Sequence, residues 1–153
     1  MKGIGILCVG KIKEGHFRDG IAHYEKMIRR SVPLEILECP DQATPDKAAP
    51  AQEEEIRRIE GERILARIRE DDHVIALCID GRSYDSPAFA SRLKRRIGST
   101  QGRVIFVIGG SLGLSRDVLR RADEKLSFSS MTFPHQMMRM ILLEQLERAL
   151  TSS

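Results

Sequence analysis

Hydrophobic and polar residues follow two alternating periods along the chain, one typical of strands and one typical of helices. The predicted strands are 4–9, 34–39, 73–80, 104–108 and a less regular fifth at 126–133. The predicted helices are 15–30, 53–69, 86–97, one following 109–114, and one from 134 onward. This alternation predicts a single α/β domain over residues 1–153, with a mostly parallel sheet and helices on both faces.

Proline and serine residues mark two boundaries within this pattern. Pro40, Pro45 and Pro50 bracket a polar segment that is unsuited to regular structure, so we expect a mobile loop there. Ser86 followed by Pro87 predicts a helix start, with the serine as N-cap and the proline at the first helical position.

Positive charge is concentrated in the second half of the chain. Residues 82–153 carry 12 Lys and Arg against 6 acids, whereas the whole chain has a net charge of only +3. A basic face in this half suits a polyanion such as RNA, and an arginine-rich solvated helix face is the alternative. The candidate RNA-binding residues are Arg82, Arg92, Arg95, Arg96, Arg116, Arg120 and Arg121.

Composition excludes several classes of protein. No apolar run approaches the roughly 20 residues that span a bilayer, so we expect a soluble, cytoplasmic protein without membrane contact. Cys8, Cys39 and Cys78 show no metal-ligand spacing and lie in predicted strands. We therefore expect reduced core cysteines, no disulfide and no metal.

Three predicted strand ends contain the residues that best suit a binding site. These are Leu77 to Arg82, Gly109 to Leu114 with its GGSLG turn, and the hydroxyl-rich segment Phe128 to Pro134. Ligands of open α/β sheets bind beyond the carboxyl ends of the strands, so the three ends would form one site. The glycine turn matches neither the dinucleotide fingerprint nor a phosphate-binding loop, which disfavours a nucleotide diphosphate.

The predicted last helix contributes candidate chemistry and a wide apolar surface. His135 and Arg139 lie one helical turn apart, so both can project to the same side. Apolar residues between Met137 and Leu146 cover more than one core-facing stripe. The helix is either fully buried within one chain or partly covered by a second subunit, and we prefer the second subunit because the chain is small.

Several motifs run in order along almost the whole chain: VGKIKE, VIALCIDGR, FVIGGSLGL, LSFSSMTFPHQMMR and LLEQLERA. Together they resemble the RlmH family, SPOUT-class methyltransferases that modify N3 of a pseudouridine in 23S ribosomal RNA. The resemblance implies a homodimer, a C-terminal trefoil knot, and S-adenosylmethionine as cofactor without a metal. By the same resemblance the cofactor-binding residues are Leu77, Gly109, Phe128, Ser129, Ser130, Met131, Thr132 and Phe133. His135 and Arg139 are the catalytic candidates, and the substrate is the assembled ribosome or free RNA.

The chain departs from the family at its C-terminal end. Family members usually continue into a tail that ends Tyr-His-Lys and contributes to the active site, whereas this chain ends at Thr151-Ser152-Ser153. One hypothesis is therefore that the protein is an active methyltransferase. A catalytically weakened relative that binds cofactor and ribosome is a second, and an unrelated flavodoxin-like binding domain is a third.

Overall fold

The computed structural model describes residues 2–152, which form ten elements of secondary structure. The strands are β1 (Ile4–Val9), β2 (Leu34–Cys39), β3 (His73–Arg82), β4 (Val104–Ile108) and β5 (Glu124–Leu126). The helices are α1 (Gly15–Arg29), α2 (Pro50–Leu65), α3 (Ser86–Ser99), α4 (Arg116–Arg121) and α5 (His135–Thr151).

The strands form one five-stranded sheet in the order β2-β1-β4-β3-β5. Every neighbouring pair is parallel, so the predicted α/β fold is confirmed and the sheet is parallel throughout. Helices α1, α3 and α5 pack together on one face, while α2 packs against α4 on the other. All five carboxyl ends therefore meet at the same edge of the sheet, where three loops enclose the site described below.

The core is divided by the sheet into two apolar layers. Alternate residues of each central strand enter different layers: Ile6 belongs to the layer under α1, α3 and α5, and Leu7 to the layer under α2 and α4. Both faces of β1 and β4 are buried, which explains why these strands read as continuous apolar runs. Phe106 of β4 is fully buried in the layer beneath α5.

The predicted fifth strand at 126–133 is wrong: β5 ends at Leu126, where the prediction begins. Beyond Leu126 the hydroxyl side chains bond to the loop itself. Ser127 Oγ donates to the carbonyl of Ser129 at 2.9 Å, and Ser129 Oγ accepts from the Met131 N–H at 3.0 Å. Such local bonds offer the backbone an alternative to a sheet ladder, so the segment becomes a loop.

Three smaller predictions also need correction. Helix α2 begins at Pro50 and ends at Leu65, because the proline occupies the first helical turn instead of remaining in the loop. The N-cap of α3 is Asp85, whose carboxylate accepts from the Ala88 N–H at 2.8 Å. Among the cysteines, Cys78 is only partly buried and does not belong to the core.

Candidate active site

A cavity of about 730 Å³ lies beyond the carboxyl ends of β3, β4 and β5. Its walls come from the last part of β3 and from the loops that follow β4 and β5, closed on one side by the start of α5. The lining consists of 77–79, 108–114, 126–129, 131–135 and Met138. This volume is within the range of roughly 300–1,000 Å³ that is typical of small-molecule sites.

The structure brings together seven of the eight residues predicted to bind cofactor. They line this one cavity: Leu77, Gly109, Phe128, Ser129, Met131, Thr132 and Phe133. Ser130 is an exposed member of the same loop and is not part of the lining. Their spatial convergence is an observation, and their contact with a cofactor stays a prediction.

The glycine turn after β4 forms a compact wall of the cavity. Gly113 has a φ of +85°, in the left-handed region that favours glycine, and its N–H donates to the Gly110 carbonyl at 3.1 Å. A Cβ at Gly109 would lie 2.8 Å from the carbonyl carbon of Gly113 and 3.0 Å from Leu114 Cδ2. The turn therefore closes directly on Gly109 and leaves no room there for a side chain.

Two apolar side chains of the cavity lining are exposed to solvent. Met131 has 70% of its surface exposed and Ile79 has 52%, although both are large hydrophobic residues. Cys78 lies beside Ile79 in the same wall. Burial raises the pKa of the Cys78 thiol, which disfavours the reactive thiolate form.

His135 and Arg139 both reach Gly10, but His135 lines the cavity whereas Arg139 does not. His135 lines the cavity, and its Nε2 lies 3.9 Å from the position a Gly10 Cβ would occupy. Arg139 is 4% exposed: its Nη1 donates to Glu38 Oε2 at 2.6 Å and its Nη2 to the Gly10 carbonyl at 3.2 Å. Both side chains therefore reach Gly10, as expected for residues that project to one side of the helix, and a catalytic role for either residue stays a prediction.

The Arg139 guanidinium is hydrogen-bonded to the ends of two strands, β1 and β2. Its Nε is buried and has no hydrogen-bond partner among residues 2–152. Arg139 also lies near Cys8 in β1, where burial raises the pKa of the thiol to about 12 despite the positive charge beside it. Cys8 is thus a neutral core residue, as the sequence predicted.

The arginines predicted to bind RNA form two clusters on opposite faces of the sheet. On α3, Arg92 and Arg96 both pair with Glu124 of β5, at 2.8 and 3.3 Å, while Arg95 is exposed. The guanidinium carbons of Arg92 and Arg82 lie 4.7 and 5.3 Å from the ring centroid of a tyrosine, consistent with cation–π contacts. Two of the four arginines in this cluster, Arg92 and Arg96, are therefore already paired with a carboxylate.

The second cluster belongs to α4. Arg121 donates to the backbone carbonyls of Arg69 and Asp72 at 3.0 and 3.1 Å, so it secures the loop before β3. Arg120 and Arg116 are exposed, and Arg120 makes a surface pair with an aspartate one turn earlier. The single basic face expected from the sequence is therefore divided between the two faces of the sheet.

Sequence reasoning missed part of the lining. Cys78 and Ile79 belong to the strand end 77–82 that was predicted to face a ligand but were not among the predicted cofactor-binding residues, and Met138 was assigned to the apolar surface of the last helix. The position of Cys78 and Ile79 at the carboxyl end of β3 was the available signal. For Met138 the signal was its position one turn after the start of α5, adjacent to His135.

Neither a cluster of metal ligands nor a membrane-spanning helix is found within residues 2–152. Within residues 2–152 no three His, Cys, Asp or Glu side chains approach closely enough to hold a metal ion. None of the helices in that range combines the length and apolar character needed to cross a membrane.

The fold and the cavity define an α/β domain that can receive a small molecule at the carboxyl edge of a parallel sheet. Comparison with known proteins makes the assignment specific. A sequence profile described as "Predicted SPOUT methyltransferase" matches residues 1–152, and the chain belongs to the SPOUT methyltransferase family. The family resemblance drawn from the motifs is thereby confirmed, and the chain is a methyltransferase by family.

Relatives and solved structures agree with this assignment. The chain is 46% identical over 146 residues to "Ribosomal RNA large subunit methyltransferase H" of Lactobacillus delbrueckii subsp. bulgaricus, covering 95% of this chain and 92% of that protein. It is 48% identical over 146 residues, with the same coverage, to the protein of that name from Carboxydothermus hydrogenoformans. The crystal structure of a probable methyltransferase from Bordetella pertussis Tohama I is similar with a TM-score of 0.54 at 16% identity, covering 97% and 94% of the two chains, which shows a shared fold.

Proposed function

We propose that this protein transfers a methyl group from S-adenosylmethionine to N3 of a pseudouridine in 23S ribosomal RNA. The observation that carries the proposal is the cavity at the ends of β3, β4 and β5, where seven predicted cofactor residues converge. The RNA substrate is suggested by the names of relatives with 46 and 48% identity. The substrate form we favour is the assembled ribosome, which implies a cytoplasmic location.

The residues present fit S-adenosylmethionine. Apolar side chains such as Leu77, Leu114 and Phe128 can enclose an adenine ring, while the exposed main chain of the glycine turn can hydrogen-bond its edge. The lack of a phosphate-binding loop suits a cofactor that carries no phosphate. When bound, the cofactor would supply a methyl group already activated on a sulfonium.

The protein's own task is then to align the substrate base and to remove the N3 proton. His135 is the titratable side chain of α5 that lines the cavity, and a neutral imidazole at hydrogen-bond distance can accept such a proton. Arg139 ties the first turn of α5 to Gly10 and Glu38, so we assign it to positioning His135. Its buried guanidinium holds the helix start at a fixed place over β1 and β2.

We further propose a homodimer formed largely through α5. Its buried side chains, Leu142, Leu143 and Leu146, pack on the protein's own core, whereas Met137 and Ile141 are only half-buried. A second copy of the chain would cover Met137 and Ile141, together with the exposed Met131 and Ile79 at the mouth of the cavity. Large exposed hydrophobic side chains of this kind mark interaction surfaces. These four side chains support an interface next to the site.

A trefoil knot in the C-terminal part also belongs to the proposal. It rests on membership of the SPOUT family, and in this structure the carboxyl-terminal segments of β3 and β5 are in direct contact. A Cβ at Gly81 would lie 2.6 Å from the Leu126 carbonyl carbon, and Ser127 N–H donates to the Arg82 carbonyl at 3.0 Å. The segments are thus held tightly against each other before the chain enters α5.

Contact with RNA would use the arginines that project into solvent. Arg82, Arg95, Arg116 and Arg120 are exposed, whereas Arg92, Arg96 and Arg121 would first have to leave their partners within the chain. Each phosphate neutralised by arginine releases counterions, so binding should weaken steeply with salt.

Isothermal titration of the purified protein with S-adenosylmethionine tests the cofactor assignment. We expect saturable binding with one cofactor per cavity, and the His135→Ala variant should retain it while losing methyl transfer. Binding without transfer by the unmodified protein would favour the weakened relative. Absence of binding would contradict the proposed function, because the cavity is its main support.

A further inference from the structure

Glu60 is a buried carboxylate on the face of α2 that packs against the sheet. It is 4% exposed, although glutamate is rarely buried without a partner. Its Oε2 accepts a hydrogen bond from the backbone N–H of Gln42 at 2.9 Å. Its Oε1 would lie 3.2 Å from a Cβ at Gly110, and thus directly beneath the turn that forms one wall of the cavity. One side chain therefore touches both the loop after β2 and the loop after β4.

Neighbouring residues of α2 reinforce both contacts. One turn before Glu60, Arg57 Nη1 donates to the Leu112 carbonyl at 3.3 Å, within the cavity wall. At Gly61 a Cβ would collide with the hydroxyl of Ser115, so helix and loop are in direct contact. Arg63 donates to the Pro40 carbonyl at 2.9 Å, at the other loop. This side of α2 acts as a clamp between the two loops.

The charge of Glu60 has an identifiable environment. Burial raises the pKa of this carboxyl, and the negative charge of Asp41 raises it further. The Gln42 N–H lowers the pKa, as do the positive charge of Arg63 and the proximity of the His135 imidazole. His135, itself part of the cavity lining, is therefore near enough to interact with Glu60 electrostatically.

We propose that Glu60 is a positioning residue of the active site. Its side chain packs beneath Gly110 and accepts a hydrogen bond from the Gln42 N–H, and it thereby fixes the Gly109–Leu114 wall of the cavity. The side chain does not line the cavity and acts through the glycine turn. The hydrogen-bond acceptor and the volume of the side chain carry this role. The inference rests on the proposed function, since the ligand of the cavity is taken to be S-adenosylmethionine.

Two substitutions separate positioning from general stability. Glu60→Ala removes the acceptor and the volume, and we expect its affinity for S-adenosylmethionine to fall about tenfold, equivalent to one lost hydrogen bond. Glu60→Gln keeps an acceptor of nearly the same shape and should bind within about twofold of the unmodified protein. Glu62→Ala is the matched control, because Glu62 is exposed on the same helix and pairs only with Arg58 at the surface.

Titration calorimetry distinguishes the outcomes, because it reports the dissociation constant and the fraction of competent protein separately. A merely structural role would lower the competent fraction of Glu60→Ala without changing the dissociation constant of the remainder, which would overturn the inference. Equal binding by all variants would overturn it too. If the unmodified protein binds no S-adenosylmethionine, the proposed function fails first.

A variant on the other side of the contact keeps the test open if Glu60→Ala does not fold. Gly110→Ala places a Cβ 3.2 Å from both Glu60 Oε1 and Val9 Cγ1, so either these side chains or the turn must shift by a few tenths of an ångström. We expect weaker cofactor binding than in the unmodified protein. Unchanged affinity in Gly110→Ala would show that the contact beneath the turn does not control the cavity.

Discussion

Substitution of Gly109 by valine tests the glycine turn most severely. The backbone at Gly109 is not in the left-handed region, so the obstacle is space alone. Its Cβ would lie 2.8 Å from the Gly113 carbonyl carbon, 3.0 Å from the carbonyl oxygen and 3.0 Å from Leu114 Cδ2. The first two atoms belong to the backbone and move only if the turn moves, and valine adds two further methyl groups.

Overpacking of this kind costs about 1–3 kcal/mol. If the turn relieves it by moving into the cavity, that cost appears as a loss of cofactor affinity of roughly 5- to 150-fold, because 1.4 kcal/mol corresponds to a factor of ten. Calorimetric titration with S-adenosylmethionine measures the loss, and circular dichroism verifies the fold. Gly98→Ala is the control: nothing lies within 4 Å of that Cβ, so binding should be unchanged. Undiminished affinity in Gly109→Val would remove the turn from the binding site.

Three further predictions concern stability, assembly and RNA. Burial alone would raise the pKa of Asp72, but hydrogen bonds from Arg103 hold it below its usual value. This contribution to stability is present above the unfolded-state pKa and is lost as pH falls through the lower folded pKa. The Asp72→Asn substitution should therefore lower the free energy of unfolding in urea by about 3–5 kcal/mol at pH 7 and by little in acid. An equal cost at both pH values would refute the assignment. Ile141→Glu should yield monomers in light scattering, whereas an unmodified protein that is monomeric at micromolar concentration would contradict the dimer. Arg95→Ala should reduce the salt dependence of ribosome binding by about one phosphate contact, unlike Arg30→Ala on the acidic half, and identical slopes would exclude Arg95 from the interface.

Much of the fold followed from periodicity, because the central strands are buried on both faces. The apolar runs 4–9 and 104–108 coincide with β1 and β4. The fifth strand did not follow, since its serines have good local partners and only three residues pair with β3. The same hydroxyl groups that suggested a binding segment are the reason that the segment leaves the sheet.

The cavity was more predictable than the chemistry around it. Leu77 and Gly109 could be assigned to one site because the carboxyl ends of parallel strands share an edge. Spacing along a helix could not reveal that Arg139 is paired with Glu38, because that partner is 101 positions away in the chain. Nor could it reveal Glu60, whose partners lie on two separate loops.

Methyl transfer to ribosomal RNA is the most direct measurement of the proposed activity. The protein is incubated with radiolabelled S-adenosylmethionine and either assembled ribosomes or free 23S ribosomal RNA from a strain that lacks the modification, and labelled nucleosides are identified by mass spectrometry. We expect label in N3-methylpseudouridine, more of it in the assembled ribosome than in free RNA, and none with His135→Ala. Label in a different nucleoside, or no label in either RNA from a protein that binds the cofactor, would contradict it.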